Sequence, residues 1–117
     1  MSMDPKRYIG VMKRWRELFV AGAHLPVMGV PDTELNSIKV PTIIIPGNDK
    51  THASASAQAA HERIPGSVIH RLPLTEQDVP LVPFTDWAAH EEEIARVFVD
   101  FMQRAAVEPA QAARRAS

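Results

Sequence analysis

The sequence contains no cysteine among its 117 residues, which excludes disulfides, thiolate zinc sites and cysteine nucleophiles. It also contains no apolar run close to the ~20 residues that a helix needs to span a bilayer. The polar start of the chain has no apolar core of the kind found in signal peptides. We therefore expect a cytoplasmic protein that has no membrane as a partner.

An excess of charge of either sign is missing as well. The chain has 13 basic and 14 acidic residues and a formal net charge of -1, so no basic excess favours nucleic acid as a partner. With 45% hydrophobic and 23% charged residues, the composition is that of a globular protein. The length allows one small domain, which buries only about two-thirds of its unfolded surface.

Residues 1–33 predict an amphipathic helix and an irregular connection. Asp4 and Pro5 form a helix start, and Gly22 is a suitable C-cap. Bulky side chains with helical spacing share one face of this helix: Tyr8, Val11, Met12, Trp15, Leu18 and Phe19. Such a stripe predicts a helix that packs on the core.

Residues 34–104 predict an α/β arrangement. The segment 42–45 is β-branched and ends at a Pro-Gly pair, which is typical of a strand buried on both faces of a parallel sheet. An alanine-rich helix over 53–63 and a second strand over 67–72 complete a βαβ unit. We therefore predict a small, mostly parallel sheet of about two strands per chain, flanked by helices.

The C-terminal part predicts a loop, a helix and a tail. Residues 73–84 contain three prolines and form a long loop. Thr85 or Asp86 is expected to cap a final helix with one apolar face, made of Trp87, Ile94, Val97, Phe98 and Phe101. Residues 105–117 are predicted to be a disordered tail.

A short motif spans residues 35–49. A leucine, an isoleucine and Val-Pro-Thr lead into the apolar strand, and a glycine and Asp49 follow it. This motif resembles the penultimate strand and acid loop of the α/β-hydrolase family, and residues 34–104 resemble the C-terminal half of that fold. The resemblance implies that residues 1–33 are the end of a cap region and that Asp49 is the catalytic acid. From the residues alone, Asp49 is equally well explained as a loop aspartate that caps the next helix.

The resemblance also implies a serine nucleophile and a catalytic histidine, and neither is found in this chain. No serine has the flanking glycines of the family's G-x-S-x-G elbow. The loop that matches the family's histidine loop has Gln77 in the corresponding slot, and a neutral amide cannot act as a general base. His52, three residues after Asp49, is predicted to line a binding pocket at the strand edge, and Gln77 is the second predicted binding residue. No metal site and no other cofactor is predicted.

Three functional hypotheses remain open on these grounds. The first is a truncated or degenerate α/β-hydrolase-like protein without autonomous catalysis. The second is a homo-oligomeric binding or assembly protein, because a two-stranded sheet leaves an open edge that a second copy or a partner chain would cover. The third is an ester-type hydrolase completed by a partner chain that supplies the serine and the histidine. Self-association is expected under all three.

Overall fold

The structure is a computed structural model. It describes residues 4–27 and 29–116, without the side chains of residues 109–113 and 116. Residues 1–3, residue 28 and residue 117, which belong to the predicted polar start, connection and tail, lie outside the described residues. The elements of the described chain are α1 (Pro5–Ala21), α2 (Asp32–Asn36), β1 (Ile43–Ile44), α3 (Ser54–Arg63), β2 (Val68–Ile69), α4 (Thr85–Ala88) and α5 (Glu91–Ala116).

The two strands form the parallel sheet that the sequence predicts. Ile43 pairs with Val68 and Ile44 pairs with Ile69, and α3 connects the strands. Both strands are shorter than the predicted segments 42–45 and 67–72. On β1, Pro46 has no backbone N–H, so the ladder cannot continue past this position. The α/β class, with a small parallel sheet accompanied by helices, is therefore confirmed for the described residues.

A small core lies between α2, α3 and the chain that follows β2. Its buried apolar side chains are Leu35, Ile64, Leu72 and Val82. An ion pair of 2.7 Å between Arg63 Nε and Asp32 Oδ1 joins the end of α3 to the start of α2. Gly66, with φ at 70°, turns the chain from α3 toward β2 in the left-handed region that glycine adopts without steric cost.

The parallel pairing decides where the connecting loops meet. The loop 45–53 leaves the carboxyl end of β1, and the loop 70–84 leaves the carboxyl end of β2. Because the carboxyl ends of parallel strands lie at the same edge of a sheet, these two loops are brought together there. The candidate site is built from them.

Helix α1 forms as predicted but does not pack as predicted. The Asp4 carboxylate accepts a hydrogen bond of 3.1 Å from the Lys6 backbone N–H, and Gly22 is the C-cap. However, every side chain of α1 is exposed, so the prediction of a core-facing helix is wrong. Local capping signals determine that a helix forms, whereas burial of its face needs a second surface. The radius of gyration of 18.1 Å reflects this exposure, since a compact chain of this length has about 13 Å.

The C-terminal helix also differs from the prediction. The chain forms α4 and then α5, and no side chain caps the start of α4. Between the two helices, the His90 N–H donates to the Trp87 carbonyl, three residues back, at 2.9 Å. The Ile94 N–H donates to the His90 carbonyl, also at 2.9 Å, which is the regular spacing at the start of α5. In addition, α5 continues to Ala116 through the segment predicted to be disordered. The alanine, glutamine and arginine residues of this segment favour helix, whereas Pro109 opposes it. None of the described helices combines the length and apolar character required to cross a membrane.

Candidate functional site

Asp49 lies in the loop after β1 and is only 4% exposed. Its Oδ2 atom accepts a hydrogen bond of 2.9 Å from the Val82 backbone N–H. Its Oδ1 atom accepts one of 2.7 Å from the His52 backbone N–H and contacts His52 Nδ1 at 3.1 Å. The carboxylate therefore joins its own loop to the loop that follows β2.

The pKa of Asp49 is lowered from its ordinary value of 3.8. The hydrogen bond from the Val82 N–H is the largest cause, because it stabilises the charged form. Burial raises the pKa, but the backbone N–H, the charge and the side chain of His52 lower it further. Asp49 is therefore a carboxylate held in its ionised form, which is the form that accepts all three hydrogen bonds.

His52 stands opposite Asp49 in the same loop. An ionised carboxylate can only accept, so His52 Nδ1 carries the proton of their contact. In the neutral imidazole this leaves the lone pair on Nε2, which is the tautomer of a general base. The side chain of His52 is 59% exposed. The two residues form an aspartate–histidine pair with an accessible imidazole.

Gly47 makes the close folding of this loop possible. A Cβ atom added at Gly47 would lie 2.2 Å from the His52 carbonyl oxygen and 2.4 Å from His52 Cβ. Both distances are shorter than van der Waals contact. A glycine at this position therefore allows the chain to bring His52 back to the carboxylate of Asp49.

Asn48 makes the second set of hydrogen bonds between the loops. Its Nδ2 atom donates to the Thr75 carbonyl, and its Oδ1 atom accepts from Trp87 Nε1, each at 3.0 Å. Its backbone carbonyl accepts a hydrogen bond of 2.8 Å from the Gln77 N–H. Asn48 is buried, and it fixes both the loop after β2 and α4. The sequence patterns did not predict a role for Asn48 or for the indole of Trp87. The tryptophan could have indicated one, because the indole N–H of a packed tryptophan needs a hydrogen-bond acceptor.

Backbone hydrogen bonds continue the contact between the loops. The Lys50 N–H donates to the Val79 carbonyl at 3.0 Å, and the Thr51 N–H donates to the Pro80 carbonyl at 3.3 Å. Lys50 Nζ also lies 2.7 Å from Asp78 Oδ1, but both side chains are largely exposed. The loop after β2 is thus held in place by one continuous row of contacts with the loop after β1.

An open groove of about 420 Å³ lies beside the aspartate–histidine pair. Its lining is mainly apolar, and Asp49 and His52 are its ionisable groups. The lining residues are Ile45, Gly47, Asp49, His52, Leu81, Val82, Phe84 and Trp87. His52 therefore lines a groove at the carboxyl edge of the sheet, and its role in binding stays a prediction.

Gln77 lies apart from this groove. Its backbone N–H contacts Asn48, and its side-chain Nε2 donates to Asp86 Oδ2 at 3.4 Å. It does not line the groove. The structure thus brings Asp49 and His52 together and leaves Gln77 as a support of the loop.

His61 and His70 contact residues outside the groove. His70 Nε2 lies 2.8 Å from Glu93 Oε1, which joins the end of β2 to α5. His61 Nδ1 lies 2.9 Å from Ser67 Oγ, but this hydroxyl donates to the His61 carbonyl, so the pair is not a base with a nucleophile. Among the described residues, no three histidine, cysteine, aspartate or glutamate side chains converge to hold a metal ion.

The chain therefore carries an α/β arrangement with a buried aspartate and an accessible histidine at the carboxyl edge of its sheet. Comparison with protein-family models, with curated proteins and with solved structures found no match. The resemblance to α/β-hydrolases stays a prediction from the sequence.

Proposed function

We propose that this chain is a degenerate α/β-hydrolase-like protein that keeps the acid position of the family and does not catalyse ester hydrolysis by itself. The observation that carries the proposal is the state of Asp49. All three hydrogen bonds to its carboxylate come from its own loop and from Val82. Such a carboxylate acts as a connection between two loops.

The position of His52 supports a structural role for Asp49 over a catalytic one. A triad acid orients an imidazole that also reaches the nucleophile. Here the imidazole beside Asp49 belongs to His52, only three residues away, and its second contact with Asp49 is through its own backbone N–H. A histidine from another loop would have to displace this ring before it could use the carboxylate.

A second candidate function is an ester-type hydrolase completed by a partner chain. One observation favours it: the pair of Asp49 and His52 lies beside an open, mainly apolar groove. With His52 in place, a partner would have to supply a nucleophile but no histidine. The groove would then accept the apolar acyl group of an ester. Under both functions we propose a cytoplasmic location.

Hydrolysis of p-nitrophenyl acetate and butyrate decides between autonomous catalysis and its absence. We expect the wild-type chain to release p-nitrophenol at the same rate as the Asp49→Asn and His52→Gln variants. The variants are compared at equal folded concentration, which circular dichroism and the unfolding midpoint establish. Val40→Ala, at an exposed apolar position outside the groove, is the matched control for substitution itself.

One outcome would overturn the proposal of an inactive chain. In it, the wild-type chain shows saturable turnover, Asp49→Asn and His52→Gln each abolish that turnover, and Val40→Ala leaves it unchanged. Turnover that appears only when a second chain is added, and that again needs Asp49 and His52, would support the second candidate function. The variants Asp49→Asn and His52→Gln therefore distinguish the inactive chain from the hydrolase completed by a partner.

A further inference from the structure

Helix α1 presents an uncovered row of large side chains. Tyr8, Met12, Trp15 and Phe19 follow one another at steps of four, three and four residues, which places them along one side of a helix. All four are about half exposed, and Trp15 is 56% exposed. The rings of Trp15 and Phe19 lie against each other, with centroids 6.2 Å apart. We call these four residues the α1 row.

Helix α5 presents a second row with the same spacing. Ala95, Val99, Met102 and Ala106 also follow one another at steps of four, three and four residues. All four are exposed, and Met102 is 60% exposed although it is apolar. This α5 row differs from the less exposed side of α5, where Ile94, Val97 and Phe101 are half-buried.

The two rows are complementary in size. The α1 row consists of three aromatic residues and a methionine, whereas the α5 row has an alanine at each end. Steps of four and three residues are those of helices that pack with side chains of one between side chains of the other. Large side chains on one helix and small ones on the other allow the helix axes to approach closely.

The two helices are also complementary in charge. Helix α1 has five basic residues and one acidic residue, which gives it a net charge of +4. The first half of α5, residues 91–103, has four acidic residues and one basic residue, which gives it a net charge of -3. Contact between two α1 helices would oppose like charges, whereas contact between α1 and α5 brings opposite charges together.

We infer that two copies of this chain associate reciprocally, with the α1 row of each copy packed on the α5 row of the other. The contact is then made twice. If each helix buries about 400 Å² in each contact, the dimer buries roughly 1,600 Å² in all, which is the area of a standard protein interface. Three half-exposed aromatic side chains and a methionine supply about that area on α1. This inference uses none of the residues of the proposed function.

Sedimentation and light scattering test the association itself. We expect a dimer for the wild-type chain at ~100 µM and a dissociation constant at least ~10-fold higher for Trp15→Asp and for Met102→Glu. Val20→Asp is the matched control on α1, because Val20 is at least as exposed as Trp15 but lies outside the α1 row. A wild-type monomer at this concentration, or an equal effect of Val20→Asp, would overturn the inference.

Cross-linking through introduced cysteines identifies the surfaces that are in contact. The chain has no cysteine of its own that could react with the cross-linker. One preparation carries Met12→Cys and a second carries Met102→Cys. We expect a short thiol cross-linker to join the two in a mixture more efficiently than it joins either preparation to itself. A product mainly between two Met12→Cys chains or two Met102→Cys chains contradicts reciprocal packing, even if the chain is a dimer.

Discussion

The carboxylate of Asp49 accepts a hydrogen bond of 2.9 Å from the backbone N–H of Val82, 33 positions further along the chain. Both residues are buried. This contact closes the loop after β2 onto the loop after β1 at the carboxyl edge of the sheet. Asp49 is consequently both the candidate acid and a structural connection. The hydrolysis assay tests its role as an acid, and unfolding experiments test its role as a connection.

The stability of the fold should depend on the ionisation of Asp49. Because the pKa of Asp49 is lowered in the folded chain, the unfolded chain binds the proton more readily. The stabilisation is therefore complete above the ordinary value of 3.8 and is lost as the pH falls through the lower, folded value. We expect wild type to be more stable than Asp49→Asn near neutral pH, and the difference to shrink in acid. Urea unfolding of both proteins at several pH values measures this; a difference that does not change with pH would contradict it.

Asn48 and Trp87 should be coupled. Replacement of buried Asn48 by alanine leaves the Thr75 carbonyl and the Trp87 indole without their partner, so we expect a loss of about 1–3 kcal/mol in the free energy of unfolding. Trp87→Phe, which keeps an aromatic ring and removes the N–H donor, should cost about 1 kcal/mol. In the double variant the two costs should not add, because both single changes remove the same hydrogen bond of 3.0 Å. Strict additivity would show that this hydrogen bond does not contribute.

Gly47→Ala should destabilise the candidate site. Its new methyl group would lie 2.2 Å from the His52 carbonyl oxygen, so the loop has to shift, at an expected cost of about 1–3 kcal/mol. Gly10→Ala is the control, because a Cβ atom at Gly10, within α1, meets no atom within 4 Å apart from the backbone of its own helix and its chain neighbours. There alanine should favour the helix by about 0.5–1 kcal/mol. Thermal unfolding of both variants gives the comparison, and a Gly47→Ala protein as stable as wild type would contradict the close approach.

The ion pair between Lys50 and Asp78 should contribute little. The nitrogen–oxygen distance is only 2.7 Å, but the side chains are 60% and 92% exposed. Water and salt screen such a pair, so we expect Lys50→Ala to change the free energy of unfolding by less than about 1 kcal/mol. Chemical denaturation at low and high salt checks this. A larger, salt-sensitive loss would mean that the side-chain pair holds the loop, in place of the neighbouring backbone hydrogen bonds.

Part of the fold is predictable because its signals are local. The caps Asp4 and Gly22, the β-branched run before Pro46 and the alanine-rich segment of α3 each act within a few residues. They correctly predict α1, β1 and α3 in order and type. The expectation that a partner chain covers the open sheet edge is a statement about a second molecule, and it stays a prediction.

The sequence by itself determined the order of α1, β1, α3 and β2 and the position of Asp49 and His52 in one loop, because these follow from capping, residue type and a spacing of three residues. Only the tertiary structure decided that Val82 and Trp87 complete the site, since the parallel sheet brings together segments more than 30 residues apart. It also decided that the apolar face of α1 is uncovered. Amphipathic spacing reports that a face is apolar, but burial depends on whether another surface of matching shape lies within reach.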